Sequence, residues 1–267
     1  MPKELDNVDC RTSLIRGARS YRDIDHAFIR LLETGSTESR THVEQMSLDM
    51  GHLLASAFPS LATQADFVNG TSFLNRMRSA AKILWEALGD DAIEVAAQSA
   101  SDTVRGWGAF VVGYIPDLTF SERLSLVRPF AGDSHFAVRE WAWLSLRSIV
   151  SLNTLEAIES LYPWVLDPID RMRRFATEIT RPRGVWCGHL KQVKEEPWLA
   201  RRLLDAVAAD PSRYVQNSVG NWLNDASKSQ PSWVMSVCAG WELSLPKETA
   251  YVRQRALRTL PKLIQQQ

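Results

Sequence analysis

The chain has 267 residues, of which 45% are hydrophobic and 23% charged, and its 31 basic side chains balance 31 acidic ones to give no net formal charge. This is ordinary globular composition, which argues against a disordered, collagenous or low-complexity chain. The longest nearly uncharged apolar run, Trp107 to Pro116, has about half of the roughly 20 residues that a membrane span needs. The three cysteines (Cys10, Cys187 and Cys238) form no CxxC pair, which argues against a disulfide framework or a thiolate zinc site.

The first hundred residues are predicted to form an N-terminal helical part. The chain begins Met-Pro-Lys-Glu-Leu-Asp-Asn, which carries charge and no apolar stretch, so we expect no secretory signal and a soluble, cytoplasmic protein. Apolar residues at helical spacing, punctuated by turn residues at 69–70 and 89–91, predict three helices: Tyr21–Leu32, His42–Ala57 and Thr71–Leu88.

From residue 101 onward a segment of five positions recurs five times. An apolar residue comes first and is followed in most copies by Arg, then by two variable residues, and last by a small or β-branched residue. The intervals between copies are 34, 34, 43 and 37 residues, and the first residues are Val104, Val138, Met172, Val215 and Val252. Several copies follow a helix-start signal such as Asp-Pro. Second helices are predicted between them at Phe120–Phe130, Thr154–Val165 and Trp198–Ala208.

A period of about 34–47 residues built from helix pairs is typical of an α-solenoid. The predicted fold is therefore all-α, a HEAT-like superhelix of antiparallel helix pairs in one domain, 1–267. Residues 1–100 form its N-terminal helical part, and residues 101–267 form the repeats that carry the candidate site. Polar residues close to the packing face of a repeat are functional suspects; they stand two or six positions after the repeated apolar residue, at Glu140, Arg174, Glu178, Asn217, Asn221, Gln254 and Arg258.

The charge is unevenly distributed along the chain. Residues 1–100 hold 10 basic and 14 acidic side chains, whereas residues 170–262 hold 16 basic and 9 acidic ones. A basic face of this kind can bind a polyanion even when the whole chain is neutral. Solvated helix faces rich in Arg explain the count equally well, so charge alone leaves the question open.

Three stretches contain the residue types that chemistry requires. In the first, Glu140 lies among aromatic residues, a setting that raises a carboxyl pKa if the group is buried; an exposed Glu140 paired with Arg139 is the alternative. In the second, five Arg fall within residues 171–183 and are followed by Trp186. Arg binds phosphate bidentately and Trp offers a stacking face, although such Arg residues often pair with local acids instead.

The third stretch, residues 210–231, places Asn217, Asn221, Asn224 and Lys228 on one helix face, with Asp225 beside them. A solvated face is the simpler interpretation. Because plain solvation usually employs Glu and Lys, and Asn and Asp are poorer helix formers, the pattern favours a functional role.

These stretches resemble the AlkC/AlkD superfamily of HEAT-like-repeat DNA alkylation repair glycosylases, and the AlkC branch more closely. The family pattern VRRLASEGTRPRLPW is similar to MRRFATEITRPRGVW at residues 172–186, and VRRSVANNLNDISKDNP is similar to VQNSVGNWLNDASKSQP at 215–231. The resemblance covers residues from about 101 to the C-terminus. Gln216 and Asn217 stand where the pattern has Arg, and Ile179 stands where it has Gly.

The resemblance implies a glycosylase that excises cationic N3- or N7-alkylated purines from duplex DNA without a metal or organic cofactor. A monomer is the default expectation. Carried over by motif, Asp225 is the first candidate for the catalytic carboxylate, and Glu178 and Glu140 are second. Trp186 would contact the lesion, and the remaining DNA-binding candidates are Arg174, Arg181, Arg183, Asn217, Asn221 and Lys228.

Two other functions remain open at this point: a non-catalytic HEAT-like module that binds damaged or branched DNA, and a protein-binding solenoid, for which the neutral net charge is some support. Carboxylates beside Trp186 favour the enzyme, because a phosphate binder gains nothing from acids in its groove.

Overall fold

A computed structural model describes residues 17–69, 72–245 and 247–260, so the chain start, Cys10 and the Gly70-Thr71 positions of the predicted turn and helix lie outside the described part. Within it the structure is helical without strands, which confirms the all-α prediction. No helix of this part is long and apolar enough to cross a membrane. The α-helices are α1 (His26–Leu32), α2 (His42–Ser47), α3 (Met50–Ala57), α4 (Phe73–Leu88), α5 (Asp91–Ala97), α6 (Asp102–Val111), α7 (Phe120–Ala131), α8 (Phe136–Leu152), α9 (Thr154–Val165), α10 (Asp170–Ile179), α11 (Lys191–Glu195), α12 (Arg201–Ala206), α13 (Arg213–Ser227), α14 (Pro231–Ser244) and α15 (Ala250–Leu257).

Most predicted helices are present, with local breaks. The helix predicted at His42–Ala57 is divided into α2 and α3, because the Asp49 side chain accepts a hydrogen bond from the backbone N–H of His52 and caps α3. The first and last predicted segments each begin with a short 3-10 helix, at Tyr21–Asp23 and Pro197–Ala200. The 3-10 helix Pro59–Phe67 and the short helices α5 and α11 have too little periodicity to be recognised in the sequence.

The five repeated segments all lie in one layer of helices. Each helix of this layer packs against the next in the order α6, α8, α10, α13, α15, and each repeated apolar residue is buried. The contact between the first two is close: a Cβ added to Gly106 would lie 2.3 Å from the Trp141 ring. The second layer includes α7, α9, α12 and α14, so the repeats are helix pairs as predicted.

The repeated Arg is a structural residue in this fold. Arg105, Arg139 and Arg173 each donate from Nη1 to the backbone carbonyls five and six residues earlier, which fixes the turn that leads into their own helix. Gln216 does the same with one bond, from Nε2 to the carbonyl of Asp210, at 2.7 Å. The residue that stands where the pattern has Arg, Gln216, therefore makes a partly buried contact with the turn before its own helix.

The same Arg residues also link neighbouring repeats. Arg105 donates from Nε to Asp133 at 2.8 Å. Arg173 donates from Nε and Nη2 to the two carboxylate oxygens of Asp210, at 2.6 and 3.0 Å. Asp133 and Asp210 each precede a helix of the layer that contains the repeated segments, so these pairs hold adjacent repeats in register. We refer to them below as the repeat clamps, Arg105–Asp133 and Arg173–Asp210.

We expect Asp167→Asn to lower the free energy of unfolding by about 1 kcal/mol near neutral pH. Burial acts to raise the pKa of Asp167, but hydrogen bonds from Arg128 and the Ile169 N–H outweigh it and hold that pKa below its usual value. A carboxyl whose pKa is lowered by folding stabilises the fold above its unfolded pKa, near 3.9, and that contribution is lost as the pH falls through the folded value.

Denaturant unfolding across pH checks this expectation. The wild-type and Asp167→Asn curves are expected to differ at neutral pH and to converge as the pH falls through the lowered pKa of Asp167 in the folded state. Glu159→Gln is the control, because Glu159 pairs with Arg202 at 3.7 Å on the open surface, where ion pairs contribute little. A difference for Asp167→Asn that persists unchanged in acid would contradict the assignment.

Candidate active site

The repeat positions that broke the apolar pattern meet on the face formed by α8, α10 and α13. Glu140 of α8 lies beside Arg174 of α10, and Glu178 of α10 lies beside Ser218 of α13. These contacts join residues 34 and 40 positions apart. The stacking of equivalent helices thus converts a sequence periodicity into a cluster of charged groups.

Arg181 joins two of the three candidate carboxylates. It follows α10 directly and donates from Nη1 to Glu178 Oε2 at 2.9 Å. Its Nε and Nη2 reach Asp225 Oδ2 at 3.0 and 2.6 Å. The other oxygen of Asp225 accepts from Lys228 Nζ at 3.0 Å. The motif residues of the two similar stretches are therefore in direct contact.

Arg174 joins the third carboxylate to the same cluster. Its Nη2 lies 2.5 Å from Glu140 Oε1 and 3.7 Å from Glu178 Oε1. Its guanidinium also covers the Tyr214 ring at 4.3 Å. Trp143 Nε1 donates to the second oxygen of Glu140, at 2.9 Å. We refer to Glu140, Glu178 and Asp225 with Arg174 and Arg181 as the carboxylate cluster.

The cluster is electrostatically balanced. Burial acts to lower the pKa of Arg181 and of Arg174, but the adjacent carboxylates outweigh it and raise both above their usual value. Three carboxylates face two Arg and the exposed Lys228, so each negative group has a cationic partner. Such pairing is what allows several charges to remain in a partly buried cleft.

The three carboxylates differ in their access to solvent. The Glu140 side chain is 26% exposed, against 4% for Glu178 and 8% for Asp225. Glu140 and Glu178 line a cleft of about 170 Å³ together with Arg181 and Trp186. Asp225 is not among its lining residues and is connected to it through Arg181. In this conformation the cleft gives direct access to Glu140 and Glu178.

Trp186 is presented on a loop that is held at both ends. The loop is closed by the Leu190 N–H, which donates to the Pro182 carbonyl at 3.1 Å. At its start the buried Arg147 donates to the carbonyls of Ile179, at 2.7 Å, and of Arg181. Trp186 itself is 53% exposed, so a loop fixed by hydrogen bonds at both ends presents a large aromatic side chain to solvent beside Glu140 and Glu178.

A second cavity of about 250 Å³ adjoins the cleft, and Glu140, Arg174 and Trp186 line both. Its remaining walls come from the N-terminal helices and α8: His42, Gln45, Met46, Phe73, Leu74, Phe136, Trp141 and Leu144. The N-terminal part therefore contributes to a cavity that shares three lining residues with the candidate site.

The polar stripe of α13 is divided between several partners. Asn217 accepts from the Tyr251 hydroxyl at 2.7 Å, and Asn221, which lines the cleft, accepts from Arg255 at 3.0 Å and from Arg258 at 3.1 Å. Asn224 is buried and donates to the Ala256 carbonyl, so its contacts bind α13 to α15.

Arg183 also has protein partners. Its Nε donates to the Asp225 carbonyl at 3.3 Å and its Nη2 to the Ser229 hydroxyl at 3.0 Å. Of the basic DNA-binding candidates, Lys228 is the exposed one, whereas Arg174, Arg181 and Arg183 are half-buried.

Several residues of the site were absent from the sequence prediction. Trp143 stands one turn after Glu140 and was detectable from helical spacing. Tyr214 and Ser218 of α13 contact Arg174 and Glu178 of α10, and Arg147 of α8 donates to the Ile179 carbonyl. Each contact joins two helices, and no local spacing indicates it.

Comparison with solved structures identifies similar folds. The alkylpurine DNA glycosylase AlkC of Pseudomonas fluorescens, in a structure bound to DNA containing an abasic site analog, matches with a TM-score of 0.66 at 22% identity, over 92% of this chain and 66% of its own. AlkD2 of Streptococcus mutans matches with a TM-score of 0.59 at 26% identity, over 76% of this chain and 98% of its own. These likenesses confirm the HEAT-like solenoid.

A sequence comparison gives one further relative. YhaZ of Bacillus subtilis (strain 168) is 27% identical over 191 residues, which are 70% of this chain and 52% of YhaZ. The chain thus spans about half the length of this curated relative. No protein-family model matches the chain.

Proposed function

We propose that the chain, whose fold is similar to the solved AlkC and AlkD2 structures, is a member of the AlkC/AlkD superfamily and a DNA glycosylase of base excision repair. Its substrate would be a cationic N3- or N7-alkylated purine in duplex DNA, released by hydrolysis of the N-glycosidic bond. The proposal includes a cytoplasmic location, a monomer and no cofactor. The higher TM-score of the AlkC match supports the AlkC branch.

The carboxylate cluster is the observation that carries this proposal. Glu140 and Glu178 line a cleft with the exposed Trp186, Asp225 is joined to them through Arg181, and each of the three carboxylates is paired with a cation. A surface that only binds phosphates gains nothing from burying three acids, since each repels the backbone of DNA. A reaction that develops positive charge on a sugar is stabilised by such a cluster.

The chemistry requires little proton donation. An alkylated purine already carries the positive charge that makes it a good leaving group. When the bond between sugar C1′ and the base nitrogen breaks, its electron pair neutralises the base and leaves an oxocarbenium-like sugar. A carboxylate stabilises that cation and accepts a proton from the water that attacks C1′.

We assign the roles by motif and by exposure. Asp225 remains the first candidate for the charge partner or base, with Glu178 and Glu140 behind it. Since Lys228 is exposed and holds one oxygen of Asp225, movement of this lysine to a DNA phosphate would free that oxygen. Glu140 already faces the cleft, where it would contact the substrate together with Trp186. The Trp face attracts a cationic base.

The proposed DNA contacts separate into two groups. Arg174 and Arg181 pair with the carboxylates, so they would affect DNA binding mainly by positioning the carboxylate cluster. Lys228, Arg183, Asn217 and Asn221 lie further along the same face, and the exposed Arg213 and Arg258 extend it. The phosphate contacts would fall on the exposed cations of this group.

We expect Lys228→Ala to weaken binding to undamaged duplex DNA and to reduce the slope of log affinity against log salt by about one unit. One phosphate contact fewer releases one counterion fewer. Fluorescence anisotropy with a labelled duplex at several salt concentrations measures both quantities. Lys82→Ala is the control, because Lys82 lies on α4 and pairs with Glu86. An unchanged slope for Lys228→Ala would remove Lys228 from the DNA face.

Release of free alkylated base from methylated duplex DNA tests the function itself. Release by the wild type supports the glycosylase. Salt-sensitive DNA binding without release of N3- or N7-methylated bases would favour the non-catalytic binding module, for which the basic C-terminal half is the supporting observation. Absence of salt-sensitive binding would favour the protein-binding solenoid.

A further inference from the structure

A smaller cavity, of about 160 Å³, adjoins the loop that presents Trp186. The loop separates it from the cleft: Val185 and Trp186 line the cleft, whereas Cys187 and His189 line the cavity. Its other walls come from α4 and from the C-terminal end of α8, and Arg147 of α8 borders both spaces. The hydrolysis described above gives this cavity no role.

The walls of this cavity carry positive charge without a balancing acid. Arg78 of α4 and Arg147 both line it, and no Asp or Glu is among its described lining residues. In the described part of the chain neither Arg has a carboxylate within ion-pair distance, whereas the Arg residues of the repeat clamps and of the carboxylate cluster are all paired. We refer to the space lined by Arg78, Arg147, Ser148, Cys187 and His189 as the basic cavity.

Arg147 is a buried cation whose partners are all neutral. It is 2% exposed, and its Nη groups donate to the carbonyls of Ile179 and Arg181. Burial lowers the pKa of Arg147, but an Arg stays charged at neutral pH. Its Nε is buried and has no hydrogen-bond partner among the described residues. An unpartnered buried donor is a reason to look for an ion or an ordered water nearby.

The thiol of Cys187 does not neutralise the two cations. Burial raises the pKa of Cys187, and the nearby Arg147 and Arg78 oppose that effect only in part, so the side chain is a neutral thiol near neutral pH. The Arg78 guanidinium is half-buried, and its hydrogen bond in the described structure, from Nη1 to Asn75 Oδ1, is 3.5 Å long. Because a guanidinium has five N–H donors, Arg78 keeps donors for an anion.

Neutral groups of the wall add directional hydrogen bonds. Ser148 and His189 are exposed at the basic cavity, and a hydroxyl and an imidazole each offer a donor. The C-terminal end of α8 opposes an anion with about half an elementary charge, which the two full cations outweigh. The ligand that fits these walls is a compact anion with several acceptor oxygens. A phosphate group has this chemistry, and Arg and hydroxyl groups are its common partners.

We propose that the basic cavity binds a phosphate group, and that in a complex with duplex DNA this group belongs to the backbone beside the nucleotide at Trp186. The affinity for phosphate rests on the cavity alone, whereas its occupation by DNA rests on the proposed function. The cations of the DNA face described above, such as Lys228 and Arg183, lie toward α13. The basic cavity would add a contact toward the N-terminal part, so the backbone would be held on two sides of the Trp186 loop.

Alkylation of Cys187 reports occupancy of the basic cavity, because this half-buried thiol lines it. The full chain is treated with N-ethylmaleimide in sodium chloride, in inorganic phosphate at equal ionic strength, or with an undamaged duplex, and the Cys187 peptide is quantified by mass spectrometry. We expect inorganic phosphate and the duplex each to slow the reaction at least about threefold relative to chloride, as a ligand at twice its dissociation constant would. The buried Cys238 is the internal control for general changes in reactivity.

Arg78→Gln is expected to remove most of this protection, since it eliminates one of the two cations. Lys82→Gln is the matched control, because it removes one positive charge from the same helix, one turn later and outside the cavity; it should be protected like the wild type. Full protection in a folded Arg78→Gln variant would overturn the proposal.

Ser148→Glu is a second test at an exposed position, for use if Arg78→Gln loses helicity by circular dichroism. Its carboxylate would pair with the cations and repel phosphate, so protection, measured as the ratio of rates within the variant, should disappear. Ser148→Gln is its neutral counterpart and should keep most of the protection. Full protection in Ser148→Glu would also overturn the proposal.

The two sources of phosphate are distinguished by the same measurement. Equal rates in chloride, phosphate and duplex would reject the site. Protection by inorganic phosphate but not by the duplex would retain the phosphate site and reject its use for DNA. Protection by the duplex alone, lost in Arg78→Gln, would assign the cavity to the DNA backbone.

The base-release assay separates this proposal from the proposed function. Protection by the duplex that Arg78→Gln removes, combined with no release from methylated DNA, would reject the glycosylase and retain the phosphate site. Release of base by the wild type, combined with no protection of Cys187, would retain the glycosylase and reject the site.

Discussion

Asp225→Asn is expected to slow release of N-methylated bases from duplex DNA by about a hundredfold or more, the usual contribution of a positioned proton acceptor. The substitution keeps the shape of the side chain but removes the charge that would face the sugar cation. Single-turnover kinetics with excess protein measure the bond-breaking step. A loss of less than about tenfold, or about 1.4 kcal/mol of barrier, would contradict the assignment.

Parallel variants locate the role if Asp225 does not hold it. Glu178→Gln and Glu140→Gln test the other two carboxylates of the cluster, and Asp66→Asn, at an exposed position in the N-terminal part, is the control for loss of one negative charge. Near wild-type release by Asp225→Asn, with a large loss in Glu140→Gln, would transfer the catalytic role to the carboxylate that faces the cleft.

Arg181→Ala is expected to lower the free energy of unfolding by about 3–5 kcal/mol, as when one partner of a buried ion pair is removed. Glu178 and Asp225 are almost fully buried, and Arg181 binds both. Without it, two buried carboxylates lose the cation that they share. Urea unfolding followed by circular dichroism measures the change.

Neutralising the two carboxylates should reverse much of that loss. The combination of Arg181→Ala with Glu178→Gln and Asp225→Asn removes the charges that Arg181 balances, so we expect it to be more stable than Arg181→Ala alone. Arg202→Ala is the control, because Arg202 and Glu159 pair on the surface. A triple variant no more stable than the single one would show that Arg181 acts through packing instead.

Much of the fold could be predicted because its information is local. The repeated apolar residue, the Asp-Pro helix starts and the helical spacing each lie within one turn or one helix. Together they predict the layer of helices α6, α8, α10, α13 and α15. The break between α2 and α3 was missed, since the Asp49 cap interrupts a run whose apolar spacing continues through it.

The candidate site was only partly predictable. Its carboxylates and Trp186 were selected because polar residues interrupted an apolar repeat and matched a family motif. Arg181 and Asp225 are 44 positions apart in the sequence. Local residue spacing does not predict whether an Arg pairs with a carboxylate of the protein or with a phosphate. The cavity of about 250 Å³ beside the cleft is lined by residues of α2, α4 and α8, and no single segment of the sequence predicts it.

The repeat clamps have a consequence for how the molecule opens. Arg105–Asp133 and Arg173–Asp210 each connect only neighbouring repeats, so fluctuations can spread stepwise from an end, as in other one-dimensional assemblies. Undocking of α15 would break the Asn221 and Asn217 bonds yet spare the links from Arg181 to Glu178 and Asp225. The contacts of Arg181 with Glu178 and Asp225 are thus protected from fraying at the C-terminal end, whereas the contact between α13 and α15 can open without breaking them.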